Sequence, residues 1–329
     1  MRYRDLGGTG VRVSEVGFGV WTLSAGWWGE HGHDEAVRLL RLAYDLGITF
    51  FDTADVYGDG YGETLLRDAM DGVRSHCVYA TKVGYDWYNH KRESGQREHP
   101  QDFSPGFVRF AIEESLKRLG TGYIDWLQLH NPRLDALQSD DLAAELERLR
   151  EEGMVRAWGV ALGPAIGWRD EGLYAVRTRR IPAMQIIHNL LEQEPGREFI
   201  EASRDTEAAF VARVPHSSGL LEGHYTAETA FPAGDHRNHR PRQWLLDGLQ
   251  KVERLRFLEV PGRRTLGQAA IQWLLAEPLM ASVLPNIYDE AQLREFAGAP
   301  ESPPLTADET ARVDDLYAAN FGLPGPAAR

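Results

Sequence analysis

Three short apolar runs in this sequence end in residues that can take part in proton transfer. The run 48–51 ends in Asp52, and a tyrosine, Tyr57, follows five residues later. The runs 77–81 and 123–129 end in Lys82 and His130. Because barrel and doubly wound enzymes keep their chemistry at the carboxyl ends of strands, we expect these four side chains to meet at one rim. For Asp52 alone, an Asx turn before an unrelated tyrosine is an equally good interpretation.

The four residue types together predict acid–base chemistry on an oxygen atom. A phenol is a poor acid or base at neutral pH, because its unperturbed pKa is about 10, but a nearby ammonium group favours the phenolate. A buried lysine needs a counter-ion, and Asp52 is the carboxylate at hand. His130 can hydrogen-bond to the reacting oxygen. This set suits protonation of a carbonyl oxygen or deprotonation of an alcohol, and since no side chain donates hydride, a nicotinamide is implied.

The segments around these residues resemble the aldo-keto reductase family. They extend over almost the whole chain, and the family's Asp, Tyr, Lys and His tetrad falls on Asp52, Tyr57, Lys82 and His130. The resemblance implies an α/β fold, a (β/α)8 TIM barrel with an N-terminal β-hairpin cap, long βα loops and a C-terminal helix. The matching segments are GFGVW (17–21), FDTADVYGDGYGE (51–63), ATKVG (80–84), SLKRLGTGYIDWLQLHNP (115–132), RVPHSSGLLEGHY (213–225) and SVLPN (282–286).

The periodicity of apolar residues independently predicts alternating strands and helices, as in parallel βαβ units. Residues 2–19 are predicted to form a hairpin. A first helix is predicted from Asp34, as N-cap, to Gly47, and a last helix over 306–319 opens with the capping-box residues Thr306 and Glu309. The remaining predicted strands are 16–20, 48–52, 77–82, 124–130, 155–160 and 183–187, and the remaining helices are 62–70, 105–119, 138–152 and 165–179.

Composition restricts the class of protein. The 329 residues are 43% hydrophobic and 26% charged, which is typical of a globular protein, and we expect one domain over 1–329 because composition does not change along the chain. The net charge of −13 argues against nucleic-acid and anionic-membrane partners. A single cysteine, Cys77, excludes an internal disulfide and favours the cytoplasm, and neither a signal peptide nor a membrane span is predicted. The sequence carries no signal of oligomeric state.

Two long irregular segments, 85–102 and 222–240, follow predicted strands and should overhang the tetrad. His236 and His239 have the spacing of a metal half-site, but without further ligands we predict no metal. The resemblance also implies that the C-terminal segment near Phe321 approaches the substrate pocket. The residues predicted to form aromatic walls of a substrate pocket are Trp21, Trp27, Trp28, Trp87 and Tyr88. Tryptophans packed beneath a loop are an equally good interpretation for the first three.

The resemblance also implies a set of residues that bind NADP(H) or NAD(H). Gln185 and Asn189 match the positions near the nicotinamide carboxamide, whereas the family's Ser-Asn pair is missing from residues 159–163. A small-residue loop after the seventh strand is expected to hold the pyrophosphate, because backbone amides must approach the anion closely. The loop positions are Pro215, Ser217, Ser218, Gly219 and Leu220.

The segment after the eighth strand bears on the choice between the two nucleotides. The positions of the family's basic residues for a 2′-phosphate hold Asn286 and Gln292, and only Arg294 offers positive charge beside Asp289 and Glu290. A phosphate dianion would meet a net negative loop, so NAD(H) is an alternative to NADP(H). Glu295 matches a position that contacts adenine, and Phe296 beside it is predicted to stack on that ring.

We therefore predict an NAD(P)(H)-dependent oxidoreductase of the alcohol dehydrogenase type (EC 1.1.1.-), with Tyr57 as general acid and base. Its expected partner is a small aldehyde, ketone or alcohol, with carbohydrate-like or small aliphatic compounds favoured because tryptophan and tyrosine faces stack on sugar C–H surfaces. Two alternatives remain at this stage. One is a redox-neutral epimerase or dehydratase on the same fold, and the other is a non-catalytic nicotinamide-binding subunit.

Overall fold

The computed structural model describes residues 1–29, 31–90, 98–163 and 168–324. The strands in these ranges are β1 (Tyr3–Asp5), β2 (Arg12–Ser14), β3 (Phe18–Gly19), β4 (Phe50–Asp52), β5 (Val78–Val83), β6 (Ile124–His130), β7 (Val155–Ala161), β8 (Ala183–Ile187), β9 (Ala209–Arg213) and β10 (Met280–Leu284). The α-helices are α1 (Trp21–Ser24), α2 (His33–Asp45), α3 (Tyr61–Ala69), α4 (Pro105–Leu119), α5 (Leu134–Gln138), α6 (Asp140–Glu151), α7 (Arg169–Arg177), α8 (Gly196–Ala202), α9 (Arg242–Leu255), α10 (Leu266–Leu275), α11 (Glu290–Ala297) and α12 (Ala307–Ala318).

Strands β3 to β10 pair in chain order and in parallel, giving an eight-stranded sheet within the described residues. The last strand returns to the first, since Val16 bridges Val283 and the Gly17 N–H donates to the Val283 carbonyl at 2.9 Å. Gly17 has no room for a side chain, because a Cβ there would lie 2.5 Å from Cδ1 of Phe50. The sheet is therefore a nearly closed barrel surrounded by helices, and the predicted fold class is confirmed.

The interior of the barrel holds two aromatic rings, those of Trp126 and Phe50, among small residues. Trp126 on β6 is fully buried and packs near Phe50, and alanines on the neighbouring strands leave the space that these rings occupy. Leu6, Val11 and Val13 belong to the same apolar cluster. Strands β1 and β2 pair antiparallel, so the N-terminal hairpin closes one end of the barrel, as expected. The alanines of the cluster are Ala80, Ala157, Ala183, Ala209 and Ala281.

Arg4 of the hairpin is bound to the chain segment that leads into β10. Its guanidinium donates to the carbonyl oxygens of Leu275, Glu277 and Met280 at 2.7, 3.2 and 3.0 Å. Its Nε also donates to Glu15 at 2.7 Å, and that glutamate is buried. The N-terminal hairpin is thus tied by charge-assisted hydrogen bonds to residues more than 270 positions away along the chain.

Two helix predictions need correction. Helix α2 begins at His33 with Gly32 as N-cap, so Asp34 lies in the first turn, where its charge favours the helix dipole. The predicted helix 138–152 is observed as α6, which begins at Asp140 because the Ser139 hydroxyl accepts the Leu142 N–H, and Gln138 instead ends α5. The predicted helix 165–179 is observed as α7, and its residues 165–167 lie outside the described residues. The capping box of Thr306 and Glu309 is confirmed at the start of α12.

Within the described ranges, no helix combines the length and the apolar composition that crossing a lipid bilayer requires.

Candidate active site

A buried ion pair at the carboxyl ends of β4 and β5 forms the base of the site. Lys82 Nζ lies 2.6 Å from Asp52 Oδ2 and donates to the Thr53 carbonyl at 2.7 Å. The side-chain amides of Gln128 and Gln185 donate to Asp52 Oδ1 at 2.8 and 2.9 Å. Both carboxylate oxygens therefore accept hydrogen bonds, as a charge buried to this depth requires. The expected role of Asp52 as the counter-ion of Lys82 agrees with this geometry.

Tyr57 lies on the loop after β4, directly above the ion pair. The ammonium of Lys82 is 4.9 Å from the centre of the Tyr57 ring, and the His130 ring meets the phenol edge-on at 5.8 Å. Trp21 packs edge-on against the same ring at 5.3 Å. The four side chains predicted to meet at one rim are therefore brought together, with a positive charge held beside the phenol.

His130 is buried at the end of β6, and this burial determines its charge. Burial, with the charges of Lys82 and Arg213 as further causes, lowers the pKa of His130 well below its usual range. The imidazole is therefore neutral at physiological pH and has one N–H to donate. Its Nδ1 has no hydrogen-bond partner among the described residues, and Tyr85 packs edge-on against the ring at 4.8 Å.

A cavity of about 280 Å³ opens above the tetrad and extends towards the loops after β9 and β10. Both long irregular segments contribute to its walls, as predicted: Tyr85, Glu98 and His99 come from the first, and His236 and Arg240 from the second. The other polar or aromatic residues of its lining are Trp21, Trp27, Trp28, Asp52, Tyr57, His130, Asn131, Gln185, Glu192, Arg213, Ser218 and Asn286.

The predicted aromatic wall is only partly found in this cavity. Trp21, Trp27 and Trp28 line it, and the His236 ring stacks on Trp27 with the ring planes 3° apart. Trp21 also begins α1, so it lies on a short helix and not in the predicted loop. Among the described residues, no metal-binding group of three or more ligands exists, and His236 instead forms part of the aromatic wall.

Trp87 and Tyr88 lie outside the cavity, which corrects their predicted position. Their rings pack on each other at 4.3 Å, and Tyr88 also meets Phe110 of α4 at 5.0 Å. The partly buried guanidinium of Arg118 donates to the Tyr88 hydroxyl at 2.8 Å and to Glu63 at 2.7 Å. These contacts hold Tyr88 against α4 and away from the cavity.

Phe321 also lies away from the site. It is buried in the apolar cluster between α9, α10 and α12, edge-on to Tyr317, so the expected approach of the C-terminal segment to the cavity is not observed for this residue.

The residues predicted to hold a nicotinamide and a pyrophosphate divide into two groups. Gln185 and Ser218 line the cavity, whereas the side chains of Asn189 and Ser217 are bound to Glu192 at 2.8 and 3.0 Å. Gly219 has a positive φ of 96° and contacts Tyr225 so closely that a Cβ would lie 2.1 Å from its hydroxyl. Val214, Ser217 and Ser218 also have positive φ, a conformation that concentrates at ligand sites. Pro215 and Leu220 are buried.

The residues predicted to hold the adenosine are mostly engaged with other parts of the chain. Asn286 lines the cavity, and Gln292 donates to Glu222 at 3.0 Å. Glu295 accepts a hydrogen bond from the Thr265 hydroxyl at 2.5 Å. Arg294, the predicted source of positive charge, is paired with Glu290 at 2.8 Å. Phe296 is fully buried against the His216 ring at 4.4 Å, so its predicted stacking on adenine is not compatible with this position.

Arg213, Glu98 and Glu222 were not selected as site residues from the sequence. Arg213 ends β9 in the cavity wall, where its Nη2 donates to the Leu162 carbonyl at 2.8 Å and its buried Nε has no partner among the described residues. The strand-end rule that selected Lys82 also applies to Arg213. Glu98 and Glu222 lie in loops, where no pattern marks them. The cavity places the unpartnered Nε of Arg213 and the side-chain amide of Gln185 beside the tetrad. This lining fits a nicotinamide ring with its carboxamide.

Comparisons with known proteins agree with this geometry. The model of the Aldo/keto reductase family matches residues 15–318. The uncharacterized oxidoreductase YqkF of Bacillus subtilis (strain 168) is 28% identical over 328 residues, which cover 97% of this chain and 99% of that protein. The structure of the glycerol dehydrogenase from Gluconobacter oxydans superposes with a TM-score of 0.81 at 26% identity, covering 98% and 97% of the two chains. An aldo-keto reductase from Klebsiella pneumoniae in complex with NADPH has the same fold, with a TM-score of 0.70 at 22% identity and 96% of each chain covered.

Proposed function

Because the chain belongs to the aldo/keto reductase family, we propose that it is a nicotinamide-dependent oxidoreductase that interconverts an aldehyde or ketone and the corresponding alcohol. The observation that carries this proposal is the convergence of Asp52, Tyr57, Lys82 and His130 at the base of one cavity. A buried lysine paired with a buried carboxylate costs solvation energy. Such a pair beneath an accessible phenol is expected where proton transfer is the task.

Each side chain of the tetrad has a defined part in the reaction. Tyr57 gives a proton to the carbonyl oxygen during reduction and takes it from the alcohol during oxidation. Lys82 holds a positive charge beside the phenol, and Asp52 keeps the ammonium in place. Neutral His130 donates a hydrogen bond that orients the same oxygen. A bound nicotinamide supplies or takes up the hydride. A positioned acid or base of this kind contributes about 10²–10⁴ in rate.

The cofactor is NADP(H) or NAD(H), held by the cavity wall and the loops after β9 and β10. Gln185 and Arg213 are placed to bind the carboxamide, and the unpartnered Nε of Arg213 supplies a donor. Ser218 and Asn286 lie where the cavity reaches the two loops, so they are placed to contact the phosphate-bearing part of the nucleotide. The loop after β9 is in turn stabilised by the side chains of Asn189, Ser217 and the buried Leu220.

The substrate side of the cavity suits a small hydroxylated carbonyl compound. Trp21 and Trp27 offer aromatic faces to C–H surfaces, while Glu98 and Arg240 offer polar groups to hydroxyls. The name of the similar glycerol dehydrogenase agrees with a polyol or a sugar-like substrate. Aromatic ketones are the comparison class, because they would use the tryptophan faces and leave the polar groups unpaired.

The test is turnover by the purified protein with each reduced nucleotide and a panel of aldoses, glyceraldehyde and aromatic ketones. We expect oxidation of the nucleotide with the hydroxylated compounds. Tyr57→Phe should lower kcat by at least about 10²-fold while nucleotide affinity stays the same. Tyr61→Phe is the matched control, because the Tyr61 hydroxyl is hydrogen-bonded to the exposed His33 ring. Undiminished turnover by Tyr57→Phe would contradict the assigned role, and product formed without a change in the nucleotide would favour redox-neutral chemistry.

A further inference from the structure

A buried carboxylate connects the loops that follow the seventh and eighth barrel strands. Glu222 ends the short 3-10 turn Leu220–Glu222 after β9, and Gln292 lies on α11 after β10. The Gln292 amide donates to Glu222 Oε2 at 3.0 Å. In TIM barrels these two loops commonly hold the phosphate groups of a ligand. The cavity above the tetrad reaches the same loops at Ser218 and Asn286, so a dinucleotide with its nicotinamide near Tyr57 would extend towards Glu222.

The charges around Glu222 are unfavourable for a phosphate dianion. Glu222 is 8% exposed, and burial, with the negative charges of Glu295 and Asp289, raises its pKa to about 7, although the Gln292 hydrogen bond and the charge of Arg237 oppose this shift. A phosphate dianion placed beside the ionised carboxylate would be repelled in a medium of low dielectric constant.

Two arginines of these loops are already neutralised, whereas Arg240, whose Nε has no partner among the described residues, lines the cavity. Arg237 forms a two-point ion pair with Asp235, at 2.6 and 2.8 Å. Arg294 is bound to Glu290 through Nε and Nη2, at 3.0 and 2.8 Å. Recruiting either guanidinium to a phosphate would leave its carboxylate partner without a counter-ion. Arg237 and Arg294 are therefore not free to neutralise a phosphate, whereas Glu222 offers a hydrogen-bond acceptor beside Gln292.

We propose that Glu222 accepts hydrogen bonds from the ribose hydroxyls of the adenosine, and that the protein consequently binds NAD(H) in preference to NADP(H). A carboxylate has two oxygens that match a vicinal diol, and dinucleotide-binding folds use an acidic residue in this way to select the form without a 2′-phosphate. The Gln292 amide holds Glu222 in place by donating a hydrogen bond to its Oε2. This inference rests on the proposed nicotinamide-dependent function.

An aromatic surface lies beside this carboxylate and suits the rest of the adenosine. Tyr288, which precedes α11, stacks with Trp28 at 6.1 Å between ring centres. The Arg237 guanidinium lies 4.5 Å above the Trp28 ring. These flat groups come from the segments that follow β3, β9 and β10, so a nucleotide base could be held between loops that are already in contact.

The test is the affinity of the purified full-length protein for NAD, NADH, NADP and NADPH at mildly alkaline pH, measured by quenching of tryptophan fluorescence. We expect NADH to bind at least about tenfold more tightly than NADPH. Glu222→Gln keeps the shape of the side chain and removes its charge, so the ratio of the two dissociation constants should fall about tenfold. Glu253→Gln is the control, because it removes one carboxylate whose side chain is 80% exposed on α9. That variant should leave the ratio unchanged.

Each outcome decides the proposal. If the unsubstituted protein binds NADPH as tightly as NADH, the proposal is overturned by that measurement alone. An unchanged ratio in Glu222→Gln, with a circular-dichroism spectrum like that of the natural sequence, would remove Glu222 as the cause. If none of the four nucleotides binds a folded sample, the nicotinamide-dependent function itself fails and this inference fails with it. A preference for NAD(H) that Glu222→Gln abolishes would support both.

Discussion

Replacing Lys82 with methionine would leave Asp52 as a buried carboxylate without its cation. The Lys82 ammonium satisfies Asp52 Oδ2 and the Thr53 carbonyl, whereas Gln128 and Gln185 both donate to Oδ1. After the substitution, Oδ2 and the carbonyl lose a charged donor, and methionine offers none. Breaking a buried pair by removing one partner costs about 3–5 kcal/mol in the free energy of unfolding.

The loss can be converted to a melting temperature. With an unfolding entropy of about 2.1 cal/mol/K per residue, the 329 residues give roughly 0.7 kcal/mol/K. Lys82→Met should then lower Tm by about 4–7 °C in a differential scanning calorimetry experiment. Lys117→Met is the control, since that lysine is an exposed partner of Glu114, with its side chain 70% exposed, and its loss should cost less than about 1 kcal/mol.

A second substitution separates the structural role of the pair from its chemical role. In Asp52→Asn with Lys82→Met neither member of the pair carries a charge, and the Asn side-chain oxygen still accepts from Gln128 and Gln185. The double variant should therefore regain most of the lost Tm but remain inactive. A double variant no more stable than Lys82→Met would refute the argument from the unpaired charge. A double variant with full turnover would refute the assigned role of the ammonium.

Other predictions follow from the charges of the site and the core. Arg213→Met should weaken nucleotide binding about tenfold and raise the pKa of His130, because one cause of its depression is removed; NMR titration of the imidazole checks this. Burial lowers the pKa values of His188 and His216 to about 4, so the folded state keeps both rings neutral while the unfolded chain takes up protons. Stability should be complete above about pH 6.5 and fall towards pH 4, by up to ~3 kcal/mol for each ring, and chemical denaturation at several pH values measures it. The pKa of Glu222 is raised to about 7, so the preference for NADH over NADPH should grow from mildly acidic to mildly alkaline pH, and by less in Glu222→Gln, where only the 2′-phosphate titrates. A preference independent of pH in the natural sequence would contradict the charge of Glu222 as its cause.

The parts of the site that lie on regular strands could be predicted from the sequence. Apolar runs mark where parallel strands end, and the barrel places all those ends at one rim, so Asp52, Lys82 and His130 were located without a structure. Arg213 obeys the same rule at the end of β9 and could have been found by it. Tyr57 was expected at the same rim because it follows Asp52 by five residues, but the direction of its side chain could not be predicted, because a loop residue beyond a strand has no fixed direction.

The loop residues could not be placed from the sequence, because irregular backbone has no period that relates side-chain direction to position. Trp87 and Tyr88 follow β5, as wall residues would, yet they pack against the partly buried Arg118 on α4 and lie outside the cavity. Glu222 becomes a candidate only when the loop after β9 and the helix after β10 are seen to meet. Signals that depend only on residues close in sequence were predicted correctly, as the capping box at Thr306 shows.

The contacts of Arg4 with the carbonyls of Leu275, Glu277 and Met280 bear on the order in which the chain can fold. Closing a loop of more than 270 residues costs conformational entropy before any contact repays it, and contacts of such long range slow folding. The βαβ units in between rely on neighbours close in sequence and can assemble earlier. The hairpin therefore gains its full set of partners only when β10 is in place, because Ala281 and Leu284 of that strand belong to the same apolar cluster as Leu6, Val11 and Val13. Chains in which β10 has not yet packed should consequently expose the apolar side chains of this hairpin, and they should tend to associate through it.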